Sequence, residues 1–476
     1  MSYLFSSEQE IKNDVGNPIP IAILDSTGAA NSAAHPVYVS ADISSTTVQT
    51  VTTNNNLDAF GRLRVSEPTT LGDYYHISGE NPEMLTVTTG GGFGVADVAT
   101  SSYILSVGSG STDRCVHQSR MYHHYLPGKS QLIKCSFVFG APRTNTLKST
   151  GYFDDRNGVF VEQAGDGSLR IVERSFITGA PVDIITPQAQ WNRDTCSKLI
   201  AGTGVMPDGS AAPNAGKVGS WTLDATKDQL MVIDFQWLGV GRIRISFVHD
   251  GELVLAHEIM HSNYIANPYW TQPSLPVRCE IRNTGPTTGT ASLKQICATV
   301  ICEGGYIETG ISKSINSSLL GRTIQNGGDT LPIVAIRLKN TINGDLVRGI
   351  VRARDVQLLV KDGPVFFELR RFDSHTSVSG GSWVSAAADS IIEYNITATG
   401  YTGGETVDGS FLAASAAKGT TTIGGMTDIS SNKRGFITQN YYSTDSQCYA
   451  LVATALDSSN NIAIKAYGSL QWTETR

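Results

Sequence analysis

Long apolar runs are missing from this 476-residue chain. None approaches the roughly 18 residues of a membrane-spanning helix, so membrane insertion is not expected. Charge is scarce as well, 17% of residues against a usual ~25%. The net charge of −7 argues against a nucleic-acid groove, because phosphate binding draws on clustered Lys and Arg. Short basic runs such as Arg337-Leu338-Lys339 and Arg370-Arg371 read as solvated strand faces. Paired cysteine motifs are absent. Cys115, Cys135, Cys196, Cys279, Cys297, Cys302 and Cys448 are odd in number and include no C-x-x-C. Cys297 and Cys302, five apart, would face opposite sides of one strand. The set reads as buried, reduced thiols. Met1-Ser2-Tyr3-Leu4-Phe5-Ser6-Ser7-Glu8 offers neither a basic n-region nor an apolar h-region. Sec export is therefore not expected, and synthesis in a cytoplasm is.

Helical periodicity is also scarce, and period-two alternation takes its place. Ser130-Gln131-Leu132-Ile133-Lys134-Cys135-Ser136-Phe137-Val138-Phe139 alternates well, and so does Gly241-Arg242-Ile243-Arg244-Ile245-Ser246-Phe247-Val248-His249. The second run ends at Asp250-Gly251, a favoured two-residue hairpin turn whose twist matches its flanking strands. Glu252-Leu253-Val254-Leu255-Ala256-His257-Glu258-Ile259 then reads as the returning strand.

That strand runs into the one enzyme-like string of the chain, His257-Glu258-Ile259-Met260-His261, an H-E-x-x-H pattern. On a helix, histidines four apart lie one turn from each other and share a metal. On a strand the same spacing separates them by about 13 Å, whereas zinc–nitrogen bonds are about 2 Å long. A third ligand sought in Glu280 lies beyond Pro268, Pro273 and Pro276, where a helical scaffold would be needed. The expectation is a β-hairpin without a catalytic or metal site, in a protein that is not an enzyme.

Four segments are expected. Residues 1–65 form an extended N-terminal docking arm. Asn13-Asp14-Val15-Gly16-Asn17-Pro18-Ile19-Pro20 fixes extended backbone, and the Ser/Thr/Asn-rich stretch that follows buries too little apolar area to fold alone. Residues 66–312 carry many short strands separated by Gly-rich turns and read as a jelly-roll-like β-sandwich. Residues 313–328, rich in Ser, Asn and Gly, read as a linker. Residues 329–476 form a second β domain, with hairpin turns expected at Asn343-Gly344 and Asp362-Gly363. The fold class is all-β.

Several stretches resemble a domain of virion structural proteins from tailed phages, especially cyanophages and related marine phages, with relatives in large algal viruses. They are Gln118-Ser119-Arg120-Met121-Tyr122-His123-His124-Tyr125-Leu126-Pro127-Gly128-Lys129-Ser130 and Gly151-Tyr152-Phe153-Asp154-Asp155-Arg156-Asn157-Gly158-Val159-Phe160. Further on come Ile233-Asp234-Phe235-Gln236-Trp237-Leu238-Gly239-Val240-Gly241-Arg242-Ile243-Arg244 and Leu275-Pro276-Val277-Arg278-Cys279-Glu280-Ile281-Arg282-Asn283-Thr284-Gly285. The resemblance covers roughly residues 57–310 and rests on several stretches in one order. It implies a particle component with no known catalytic residues to carry over, and it leaves head versus tail open; no cofactor is expected. The expected role is a tail, baseplate, neck or fibre-type appendage, with a capsid decoration or head-fibre protein as the alternative.

Other candidate sites are weaker. His123 and His124 are neighbours on a strand and point to opposite faces, so packing is expected rather than a shared ion. Asp154-Asp155-Arg156-Asn157-Gly158 lacks the alternating spacing and closing Glu of a calcium loop and reads as a turn. Gly90-Gly91-Gly92-Phe93-Gly94 is not followed by Lys-Ser/Thr, which excludes a phosphate loop. Tyr264, Tyr269 and Trp270, in a Pro-rich connection, are candidate glycan contacts for a host-adhesin role, with packing inside the loop as the competing account. The expected partners are other virion proteins and further copies of this chain, a trimer suiting an appendage. A host-surface glycan is the remaining candidate, and the virion is the expected location.

Overall fold

A computed structural model describes residues 67–305, 310–413, 421–426, 436–438, 441, 445–456 and 463–475. The expected arm, residues 1–65, lies outside the described residues. Among them there is no α-helix, only short 3₁₀ turns such as Val98–Thr100. The protein is all-β, as its alternating runs require.

Residues 67–476 form one compact unit that contains two sandwiches. In the first, one sheet runs, in spatial order, Glu252–Ile259, Ile243–His249, Gln229–Phe235, Ser130–Val138, Ala291–Glu303, Ser102–Val107 and Gly92–Asp97, with Pro68–Tyr75 also pairing on Ala291–Glu303. The facing sheet runs Val182–Pro187, Leu169–Ser175, Gly158–Gln163, Thr146–Phe153, Val277–Asn283, Arg114–Ser119 and Met84–Thr89. From Ser102–Val107 to Arg114–Ser119, then to Ser130–Val138 and Thr146–Phe153, the chain changes sheet at each step, the crossing habit of a jelly-roll-like sandwich. Inward residues of both sheets, among them Leu105, Ile133, Phe137, Tyr152, Ile233, Phe247 and Ile281, make one continuous core. Ser130–Val138 alternates buried and half-buried along its whole length, as its sequence pattern requires.

The second sandwich stacks two further antiparallel sheets around Ile336, Leu358, Phe367, Leu369, Leu451 and Trp472. Residues 313–328, expected as a linker, are instead part of it. Ile311–Asn316 and Arg322–Ile324 are strands on the edge of Ile464–Thr475. An edge strand buries few side chains, here Ile324 fully and Ile315 in part, so a Ser/Asn-rich composition is compatible with pairing. Asn343-Gly344 does form a tight turn, but its hairpin is only Thr341–Ile342 against Asp345–Leu346. Thr330–Leu338 pairs elsewhere, with Cys448–Ala455 and Ile392–Asn395. At Asp362-Gly363 the chain passes from one sheet to the other, because Ile350–Lys361 and Val365–Phe372 lie in different layers.

Candidate functional site

The H-E-x-x-H string lies on and just past a strand. Asp250 and Gly251 adopt φ of 50° and 83°, and the hairpin register places His249 opposite Glu252. A bulge opposite Ile245/Ser246 lets Ala256 accept hydrogen bonds from both Arg193 N and Asp194 N. The Asn192 amide donates to His257 Nδ1 at 3.2 Å. Arg193 Nε donates to the buried Glu258 carboxylate at 2.6 Å, and Arg242 Nη1 lies 3.2 Å away. His261 places Nε2 2.9 Å from Glu173 Oε1 and Nδ1 2.7 Å from the Gly241 carbonyl. All three side chains are occupied in structural bonds. Among the described residues no group of three or more His, Cys, Asp or Glu side chains is arranged to hold a metal ion.

The four stretches that carry the phage resemblance, far apart in sequence, converge at one end of the first sandwich. Tyr152 Oη donates to the His123 carbonyl at 3.2 Å and accepts from Leu275 N at 3.1 Å. The Trp237 amide donates to Tyr125 Oη at 3.0 Å. His123 accepts the Tyr74 hydroxyl at Nε2 (2.8 Å) and donates from Nδ1 to the Leu275 carbonyl (3.0 Å). Burial holds its imidazole down at about 4, so it is neutral at pH 7.

Arg278 is the centre of this knot. Its guanidinium bonds Gln118 Oε1 at 2.9 Å, Asp155 at 2.7 Å and Glu280 at 3.3 Å, and it lies 5.2 Å from the centroids of both Phe153 and Tyr441. Arg114 bridges the same two carboxylates. Burial by itself raises the Asp155 and Glu280 carboxyls. The paired guanidiniums of Arg278 and Arg114 more than reverse this and hold both below the usual carboxylate range. Each stays ionised at neutral pH, unsuited to donate a proton as a glycosidase acid must.

The knot also joins the sandwiches. Asp154 caps its own turn, accepting from the amides of Arg156 and Asn157 at 2.7 and 2.8 Å, so the Asp-rich run is a turn. Its other oxygen lies 3.3 Å from Arg348 of the second sandwich, with both side chains buried, and the Arg348 guanidinium sits 4.2 Å above the Tyr122 ring. Met121 packs with Ile350 and Phe436, and Arg120 approaches Asp373 at 3.5 Å.

Beside this joint a cavity of about 470 Å³ opens between the sandwiches. The 154–157 turn, Phe176, Trp237 and Pro268 form one wall, and the Asn-Gly hairpin with Asp345 and Arg348 forms the other. Trp270 lies at its floor.

Of the three aromatic residues picked from sequence, only Tyr264 is exposed, at 46%. Tyr269 stacks on His261 at 3.9 Å and is 5% exposed, while Trp270 is fully buried against Phe235. Neither offers a free ring face at the surface, and the three do not form one platform, because the Pro-rich connection folds into the core. Trp237, Arg156, Asp345 and Arg348 escaped sequence reasoning as a site. The available signals were the Asn-Gly turn and the stretch around Trp237, neither of which says that the two meet.

No protein-family model matches the chain, and no curated protein matches it in sequence. Among solved structures it is similar to a protein of unknown function from Shewanella oneidensis MR-1, at 9% identity over 58% of this chain and 100% of that one, TM-score 0.30. It is also similar to the CBM2 module of the evolved Dit of Lactobacillus casei BL23 phage J-1, at 4% identity over 52% and 100%, TM-score 0.30. A third is a legume lectin-like domain from Entamoeba histolytica, at 9% identity over 49% and 97%, TM-score 0.26. At such identities and TM-scores none of them carries an argument about function.

Proposed function

We propose that this chain is a structural component of a tailed-phage virion, an appendage protein of tail, baseplate, neck or fibre type that docks through residues 1–65. One observation carries the reading. The stretches that resemble phage virion proteins meet in a single buried polar knot, and that knot fastens two β-sandwiches together through Asp154, Tyr122 and Arg348. Its charged groups are spent on each other, which suits a rigid spacer and leaves no free acid or base for chemistry. Docking of the arm, further copies of the chain and neighbouring virion proteins belong to the same reading. Immunogold electron microscopy of intact particles, with antibody against residues 313–476, tests it. Discrete labelling on the tail is expected. Labelling on the head would move the protein to the decoration class. Confinement to the soluble lysate, with no band in a blot of purified particles, would remove the virion reading altogether.

A second reading, attachment to a host-surface glycan, is favoured by the cavity between the sandwiches, whose walls combine indole, guanidinium and carboxylate groups. It is compatible with the first.

A further inference from the structure

The geometry points to a saccharide-binding site in the cavity between the two sandwiches, and this inference rests on the attachment reading. Its volume of about 470 Å³ falls within the ~300–1,000 Å³ of ligand sites, which favour clefts between domains. Trp237 and Trp270 both line it, although Trp270 is fully buried and the indole N–H of each is sealed from the cavity. Trp237 is half-buried, so part of its ring remains available as a flat apolar wall.

The polar groups at the rim have spare capacity. The Arg156 guanidinium lies 4.4 Å over the Phe176 ring, a stacking contact that positions it and leaves its N–H donors free of any carboxylate among the described residues. Asp345, exposed on the Asn-Gly hairpin, brings a carboxylate from the opposite sandwich. Gln272 adds an amide. By contrast Arg348 and Asp154 are committed to each other.

One free cation and one free anion make the rim neutral, which disfavours a phosphate or polyanion, for which several unpaired cations are wanted. Ile177, Leu346 and Pro268 supply aliphatic surface, but Arg156, Asn157, Gln272 and Asp345 interrupt it, and so mixed a lining disfavours a lipid chain. What remains is a neutral polyhydroxylated ring, with its C–H face on Trp237 and its hydroxyls between Arg156, Gln272 and Asp345. Both sandwiches contribute, so neither alone makes the site.

The test is binding of the full-length protein to a panel of neutral pyranose oligosaccharides (glucose, galactose, N-acetylglucosamine and rhamnose based), read by tryptophan fluorescence and titration calorimetry. We expect binding by wild type, weakened at least tenfold by Arg156→Ala and by Asp345→Ala, both at the rim and away from the core. Tyr264→Ala, exposed but outside the cavity, is expected to leave it unchanged. Thermal midpoints of the variants report that each is folded. Binding that neither Arg156→Ala nor Asp345→Ala alters would overturn the cavity assignment while leaving attachment standing. No binding to any member of the panel would overturn both.

Discussion

At the scale of single residues, burial decides which groups carry charge. His123 and His257 are held at about 4, well under the ordinary imidazole value of 6.5, chiefly because burial disfavours the cation. The unfolded chain, with its imidazoles near 6.5, takes up protons that the folded protein refuses until about pH 4. Stability is therefore complete above about pH 6.5 and falls as acid is added, by on the order of 2 kcal/mol per histidine at pH 5. Urea unfolding at pH 8 and pH 5 is expected to show the loss, and equal stability at both would mean these rings are hydrated. Thiols follow the same logic. Burial pushes Cys115 and Cys279 up to about 12, and only Cys297 is exposed. Ellman's reagent should titrate one thiol in the folded protein and seven in guanidinium.

Elements show where turn chemistry suffices and where packing intervenes. Gly251 sits at φ 83° with nothing near its missing Cβ, so Gly251→Ala carries only the left-handed penalty of about 1–2 kcal/mol. Gly158 sits at φ 134°, and a Cβ there would stand 2.3 Å from Phe153 Cα on the adjoining strand. Gly158→Ala should force strands apart and give little soluble protein. Urea midpoints and soluble yield separate the two cases. The Asp250-Gly251 hairpin was legible in sequence because its signal is local. The strands Ile311–Asn316 and Arg322–Ile324 were not, because a polar edge strand looks like a linker until its partner is known. The strand that carries His257, Glu258 and Ile259 was legible for the same local reason, since the alternation upstream of it sets a two-residue period.

On the scale of the whole molecule the buried Arg348–Asp154 pair is the joint to test. Removing one partner of a buried pair leaves a charge without compensation, typically about 3–5 kcal/mol. Arg348→Ala also removes the cation over Tyr122. In calorimetry the wild type is expected to unfold in one transition, and Arg348→Ala to separate it into two, one for each sandwich. A single transition with only a small shift would mean that Met121, Ile350 and Phe436 hold the seam without the ion pair. Uncoupling the sandwiches should also weaken saccharide binding, because Asp345 and Trp237 reach the cavity from opposite sides of the joint.

What the sequence determined by itself is the all-β class, the turn at Asp250-Gly251 and the strand conformation of His257-Glu258-Ile259. These follow from the two-residue period of a strand and from turn residues that tolerate positive φ, properties of a few consecutive positions. Only the tertiary structure decided that Trp270 and Tyr269 are buried, that Arg348 closes on Asp154, and that Trp237, Arg156 and Asp345 share one cavity. Those meetings join residues up to about two hundred positions apart. They depend on which sheet faces pack together, and no local pattern encodes that choice.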